Sequence, residues 1–238
     1  MSVISAILIA ASFAQAPEPI LWLQPSGQIT LSGKPVQPTF SPGTRVIKTE
    51  RGTTYDFDGK RSGILLPDVS ALAFTNSFTV STWIYLRSYV NDGPGAQILF
   101  RGDDRNGLDP YDLVIHGDGT INFFVRDSSS RGFCVSAEMP VAKWVHVVAS
   151  WEMPTGQLNL WLNGANVAHA TTSVQPFAVL DKGAAPGFGI GNVQNEKGPH
   201  NQPINGQLSD VRILRGVWTP EDLAFRKAGI PPLSTNPQ

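Results

Sequence analysis

Apolar and polar side chains alternate three times between positions 143 and 171, with a short break after each run. Val145, Val147, Ala149 and Trp151 take one phase and Trp144, His146, Val148 and Ser150 the other, which is the two-residue period of a pleated strand. Pro154 and Gly156 supply turn chemistry. Leu158, Leu160 and Leu162 then share a face opposite Asn159, Trp161 and Asn163. Asn163-Gly164 accepts positive φ at both central positions of a type I′ hairpin, so the chain returns at once through residues 165–171. The pattern predicts a three-strand meander with its register pinned by that turn.

The same reading extends along the chain. Short strands are expected at residues 20–23, 53–59, 63–67, 97–101, 111–116, 120–126, 132–136, 187–191 and 206–214. A longer one starts at Phe78, with Val80, Thr82 and Ile84 on its side and Thr79, Ser81, Trp83 and Tyr85 on the other. Residues 24–48, rich in Pro, Gly, Ser and Thr, read as loops and edge strands. One helix signature stands out: Thr219 caps, Pro220 suits the first helical position, and Glu221 and Asp222 complement the helix dipole. That helix should run to about Lys227, before Gly229 and Pro231 stop it. The expected fold is all-β: two antiparallel sheets in a jelly-roll sandwich with one short C-terminal helix. It occupies residues 17–230 as one domain, with 231–238 an extended tail.

Composition narrows the function. Charged residues make up 16% of the chain, below the roughly 25% of ordinary soluble domains. A net charge of −1 without a basic run argues against nucleic acid as a partner. Residues 3–11 are apolar and lead to Ala14-x-Ala16, the pattern of a secretory signal peptide over residues 1–16 and too short to span a bilayer. The competing reading is a hydrophobic N-terminal strand. Export implies a secreted, cell-surface or periplasmic protein whose mature chain does not insert into a membrane. Cys134 is the only cysteine, so no internal disulfide forms, and it reads as a small buried hydrophobe.

Seven segments in order resemble the laminin-G-like jelly roll of the concanavalin A-like lectin/glucanase superfamily. They are Tyr55-Asp56-Phe57-Asp58-Gly59, the run from Ser77 to Tyr85, the run from Asp118 to Val125, Lys143-Trp144-Val145-His146-Val147-Val148, Leu160-Trp161-Leu162-Asn163-Gly164, Ile190-Gly191-Asn192 and the run from Asn205 to Ile213. The resemblance spans about residues 21–227. It implies a binding or adhesion scaffold for glycans or extracellular proteins, in many members with calcium. Ser209-Asp210 stands where members often carry two adjacent acidic residues, so one oxygen ligand becomes a hydroxyl.

Candidate chemistry is sparse. Glycoside hydrolysis needs two carboxyl groups in set roles. Glu18, Glu50, Glu138, Glu152, Glu196 and Glu221 are isolated, and no strand carries two on one face. His116, His146, His169 and His200 lack zinc-like spacing, and His146 reads as an imidazole bonded beside the core. For calcium, which takes six to eight oxygens, the candidates are Asp56, Asp58, Asp103, Asp104, Asp109 and Asp210, with solvated loop carboxylates as the competing reading. For a ligand face, Trp83, Tyr85 and Trp161 fall out of phase with the apolar sides of their strands. With Arg126, Asn159 and Asn163 they form the expected binding set, unless those rings pack under loops. The expected function is an exported, non-catalytic module that binds carbohydrate or a protein partner. A diverged polysaccharide hydrolase or lyase and a structural adhesion protein are the alternatives.

Overall fold

The computed structural model describes residues 18–90, 95–103, 105, 107–184, 187–194 and 200–224. The segment 1–16, the tail 231–238, Asp104 and the expected helix beyond Ala224 lie outside these residues. The first strands are β1 (Leu21–Leu23), β2 (Ile29–Leu31), β3 (Lys34–Pro35), β4 (Thr39–Phe40), β5 (Arg45–Thr49) and β6 (Gly52–Asp58). Then come β7 (Ile64–Leu66), β8 (Phe78–Ser88), β9 (Ala96–Gly102), β10 (Tyr111–Ile115), β11 (Thr120–Arg126) and β12 (Gly132–Glu138). β13 (Trp144–Glu152), β14 (Gln157–Leu162), β15 (Ala165–Thr171), β16 (Gly187–Ile190) and β17 (Asn205–Arg215) follow, and α1 (Pro220–Ala224) closes the described chain.

These strands form two antiparallel sheets. The ten-stranded sheet runs β15-β14-β13-β8-β17-β1-β2-β3, with β6 also on β17 and β5 on β6. The seven-stranded sheet runs β12-β11-β10-β9-β16-β7-β4. The meander forms as the alternation requires, and Asn163 and Gly164 take φ of 50° and 89° at its tight turn. β17 pairs with β8 along one side, while its other side meets β6 through residues 205–209 and β1 through residues 211–213. Asp210, at φ 51°, is the extra residue of the β-bulge at that handover.

Between the sheets lies one apolar core. Val145, Val147, Ala149, Trp151, Leu158 and Leu160 supply it from the meander. Phe78 sits at its centre, 4.9 Å from the Tyr111 ring, 5.9 Å from Phe123 and 6.3 Å from Trp151, so rings of both sheets meet there. Each such side chain contributes roughly 1.5–3 kcal/mol by leaving water.

A second apolar cluster lies on the outer face of the ten-stranded sheet. Trp161 packs there with Val148, Leu214 and Leu223, flanked by Trp218. The helix that covers it is capped as its sequence requires: the Asp222 amide donates to Thr219 Oγ1 and the Thr219 amide to Asp222 Oδ2. Trp161 therefore points away from the core, as its phase requires, but is buried because a segment from the far end of the chain lies over it. Cys134, read as buried, is partly exposed on edge strand β12.

A candidate ligand-binding cleft

The outward face of the seven-stranded sheet carries polar groups in unusual number. Register places Phe100, Asp112, Phe124 and Cys134 in one row across β9 to β12, and Gln97, Val114, Asn122 and Ser136 in the next. Gln97 and Phe100 are three residues apart and would face opposite ways in a regular strand. An irregularity in β9 opposite Leu113 and Val114 inserts Ile98, which joins Leu99 in the core and turns both neighbours outward.

Two loops wall this floor. Asp109 enters from the loop before β10. On the other side the chain at His200 and Gln202 lies against β9, where the Gln97 amide donates to the Gln202 carbonyl at 2.8 Å. The chain just after β16 passes close enough to require a glycine: a Cβ on Gly189 would stand 2.3 Å from the Asn192 carbonyl oxygen. His200 rests 4.7 Å from the Phe100 ring, with Nε2 3.1 Å from the Asp103 carbonyl oxygen. The cleft encloses about 160 Å³.

Its charges converge on one guanidinium. Arg126 Nη1 donates to Asp112 Oδ2 at 2.9 Å, stands 3.9 Å from Asp109 Oδ2, and the Arg126 head lies 4.7 Å from the Phe124 ring centre. Burial pushes the Asp112 carboxyl above its usual range, against the pull of Arg126. Gln97 Oε1, Asp112 Oδ1, His116 Nε2 and Asn122 Oδ1 are buried without a hydrogen-bond partner among the described residues. Buried polar atoms are normally paired, so the three of these that line the cleft, on Gln97, Asp112 and His116, call for something to fill it. A larger hollow of about 410 Å³ opens beside the β13–β14 turn, lined by Trp151, Thr155, Thr171, Ser173 and their neighbours. No ionisable side chain is among its described lining residues, so the smaller cleft is taken as the candidate site.

The residues expected to bind a ligand do not form one group. Arg126 alone lies in the cleft. Trp83 and Tyr85 occupy the outer face of the other sheet. There the Arg51 head stacks 3.5 Å from the Trp83 ring centre, and Tyr85 meets Trp144 at 5.7 Å. Asn163 takes the corner of the hairpin, its Oδ1 accepting from the His146 amide. Asn159 is buried and accepts from Gln157 and Asn166.

The carboxylates proposed for calcium are likewise scattered and already engaged. Arg45 and Arg87 each donate to one oxygen of Asp56; burial would raise its carboxyl, but these bonds hold it below the usual range. Asp58 is partly buried, yet the Ser62 hydroxyl and the amides of Lys60, Arg61 and Ser62 bring it down to about 2. Asp103 is fully buried and bound by Arg105 and the Asp181 amide. Asp210 binds Arg212 and the Trp22 indole. Among the described residues no three His, Cys, Asp or Glu side chains gather to hold a metal ion. The described residues of this set do not gather into a calcium centre, and Asp104 lies outside the described residues.

His146 stacks 4.8 Å from Trp83, with Nε2 3.0 Å from Ser81 Oγ. Burial lowers it from 6.5 to about 4; Asp210 opposes the shift, while Arg212 and Arg51 add to it. The folded form thus resists protonation more than the unfolded chain does. Its contribution to stability is complete above about 6.5 and is lost as pH falls toward about 4. Thermal melts across that window should show the decline, and His146→Gln should flatten it.

The sequence matches the family model described as the concanavalin A-like lectin/glucanases superfamily over residues 58–224. The chain belongs to that superfamily. Within this laminin-G-type group, it is 24% identical over 162 residues to pentraxin-related protein PTX3 of Bos taurus, a match covering 64% of this chain and 38% of that protein. The chain thus spans well under half of this curated relative. Domain 4 of AbnA, a GH43 extracellular arabinanase from Geobacillus stearothermophilus, in complex with arabinotriose, superposes with a TM-score of 0.63 at 19% identity, covering 87% of this chain and 96% of that one. The binding domain of botulinum neurotoxin serotype G gives 0.63 at 12% identity, covering 87% and 50%. At these identities the structures share the fold. Among the described residues no helix is long and apolar enough to cross a membrane.

The sequence reading missed most of the residues that line this cleft: Gln97, Phe100, Asp112, Val114, His116, Phe124, His200 and Gln202. A signal was present in part. Asp112 alternates with core residues in β10, as do Asn122 and Phe124 in β11, so the polar phase of two adjacent strands marked a face.

Proposed function

We propose that this chain is an exported, non-catalytic carbohydrate-binding module whose ligand occupies the cleft on the seven-stranded sheet. The observation that carries the reading is the group of unpaired buried polar atoms on Gln97, Asp112 and His116, which line one cleft with Phe100 and Phe124. Sugar hydroxyls pair with such groups, while the apolar face of a pyranose or furanose rests on a ring. The arabinanase domain was captured with arabinotriose, which supports saccharide binding on this scaffold.

A glycan array probed with the purified protein tests this. Retention on a defined set of glycans is expected, with Phe124→Ala lowering affinity about tenfold, since a stacked ring is worth of order 1 kcal/mol or more. A blank array, or unchanged binding by the variant, would refute the reading. Calcium is not required: chelator should leave both glycan binding and the melting temperature unchanged, measured with and without added calcium.

Hydrolysis on the same scaffold draws support from one feature. Asp109 and Asp112 share Arg126, and burial pushes the Asp112 carboxyl above its usual range, the direction in which a general acid is tuned. Release of reducing ends from polysaccharides, lost in Asp112→Asn, would decide for it.

A further inference from the structure

Asp112 in the cleft floor holds one oxygen on Arg126 and leaves the other, Oδ1, without a partner. The residue is only 6% exposed, and Gln97 beside it is 1% exposed with its Oε1 likewise unpaired. Asp109 brings a second carboxylate to the same guanidinium. Among the described residues that line the cleft, Arg126 supplies the one guanidinium and the other basic groups are the imidazoles of His116 and His200. From these groups we infer that the cleft selects a saccharide bearing a free primary amine, seated with its ammonium on Asp112 Oδ1 and its ring against Phe124. The inference rests on the carbohydrate reading above and narrows it to amino sugars.

The chemistry favours an ammonium over a hydroxyl for two reasons. A hydroxyl donates a hydrogen bond but brings no charge, so an ionised Asp112 would stay undercompensated in a buried setting. An ammonium does both, and charge-assisted bonds are roughly twice as strong as neutral ones. Three donors on one nitrogen can also reach more than one of the unpaired acceptors. The flanking rings suit a cation as well, since aromatic faces attract positive charge. The volume of about 160 Å³ is many times what a single water requires, so the cleft has room for a larger polar ligand. N-acetylation would abolish the charge and add bulk at the crowded point, so the cleft should discriminate against it.

Calorimetric titration of the full chain at neutral pH tests this with three probes: the glucosamine trimer, its N-acetylated form and the glucose trimer. The glucosamine trimer should bind at least about tenfold more tightly than the other two. In Asp112→Asn, an isosteric change, that advantage should shrink below about threefold, with circular dichroism confirming the fold. The wild-type comparison stands without any variant. Equal or tighter binding of the acetylated or glucose trimer would overturn the amine preference and leave the carbohydrate reading intact. Failure of all three to bind would also overturn it, and the carbohydrate reading falls only if the glycan array is blank too.

Discussion

Phe78→Ala should lower the free energy of unfolding by about 3–5 kcal/mol, read from urea denaturation. Phe78 has no exposed surface and touches Phe74, Tyr111, Phe123 and Trp151, so its removal empties the junction between both sheets. Its neighbours are held on separate strands and collapse only partly into the gap. Since a domain's whole stability is about 5–15 kcal/mol, the variant should populate unfolded chain well below the wild-type midpoint. Phe78→Leu refills most of the volume and should cost about 1.5 kcal/mol or less. A loss of less than 1 kcal/mol for the alanine variant would mean the two layers are not joined through this ring.

Arg126→Ala should cost about 3 kcal/mol at neutral pH, because it strands a buried carboxylate. The loss should depend on pH with a definite sign. Burial already raises Asp112 above its usual value, and without Arg126 it rises further. The penalty is therefore present above the carboxylate range and fades as pH falls and Asp112 takes up its proton. Paired urea titrations of wild type and variant at neutral and acidic pH check this. A loss of equal size at both would assign the effect to packing against Phe124 instead. Glycan affinity should fall as well, since the guanidinium also borders the ligand space.

What could be read without coordinates was whatever is decided locally. The alternation through Val145 to Trp151 and Leu158 to Leu162, with Asn163-Gly164 between strands, specifies a meander by periods and turn chemistry alone. The Thr219-Pro220 start of α1 is equally local. Trp161 was not legible, because its surroundings come from Leu214, Trp218 and Leu223, more than fifty positions away. The cleft was illegible for a related reason. Arg126 reads as one polar residue on one strand until register sets it beside Asp112 on another, and the insertion of Ile98 reverses the side on which its neighbours emerge. Charge pairing misled in the other direction: Asp56 and Asp210 look like free oxygen ligands in a string of letters, yet each is consumed by arginines.

The pairing of β1 with β17 has a consequence for how the body could be tethered. Leu21 lies opposite Ile213, so the first and last strands are neighbours in the ten-stranded layer. β1 and α1 both belong to that layer, α1 on its outer face, whereas the recessed floor around Asp112 lies on the other sheet. A body joined beside β1 or α1 on that outer face would leave the floor open to solvent.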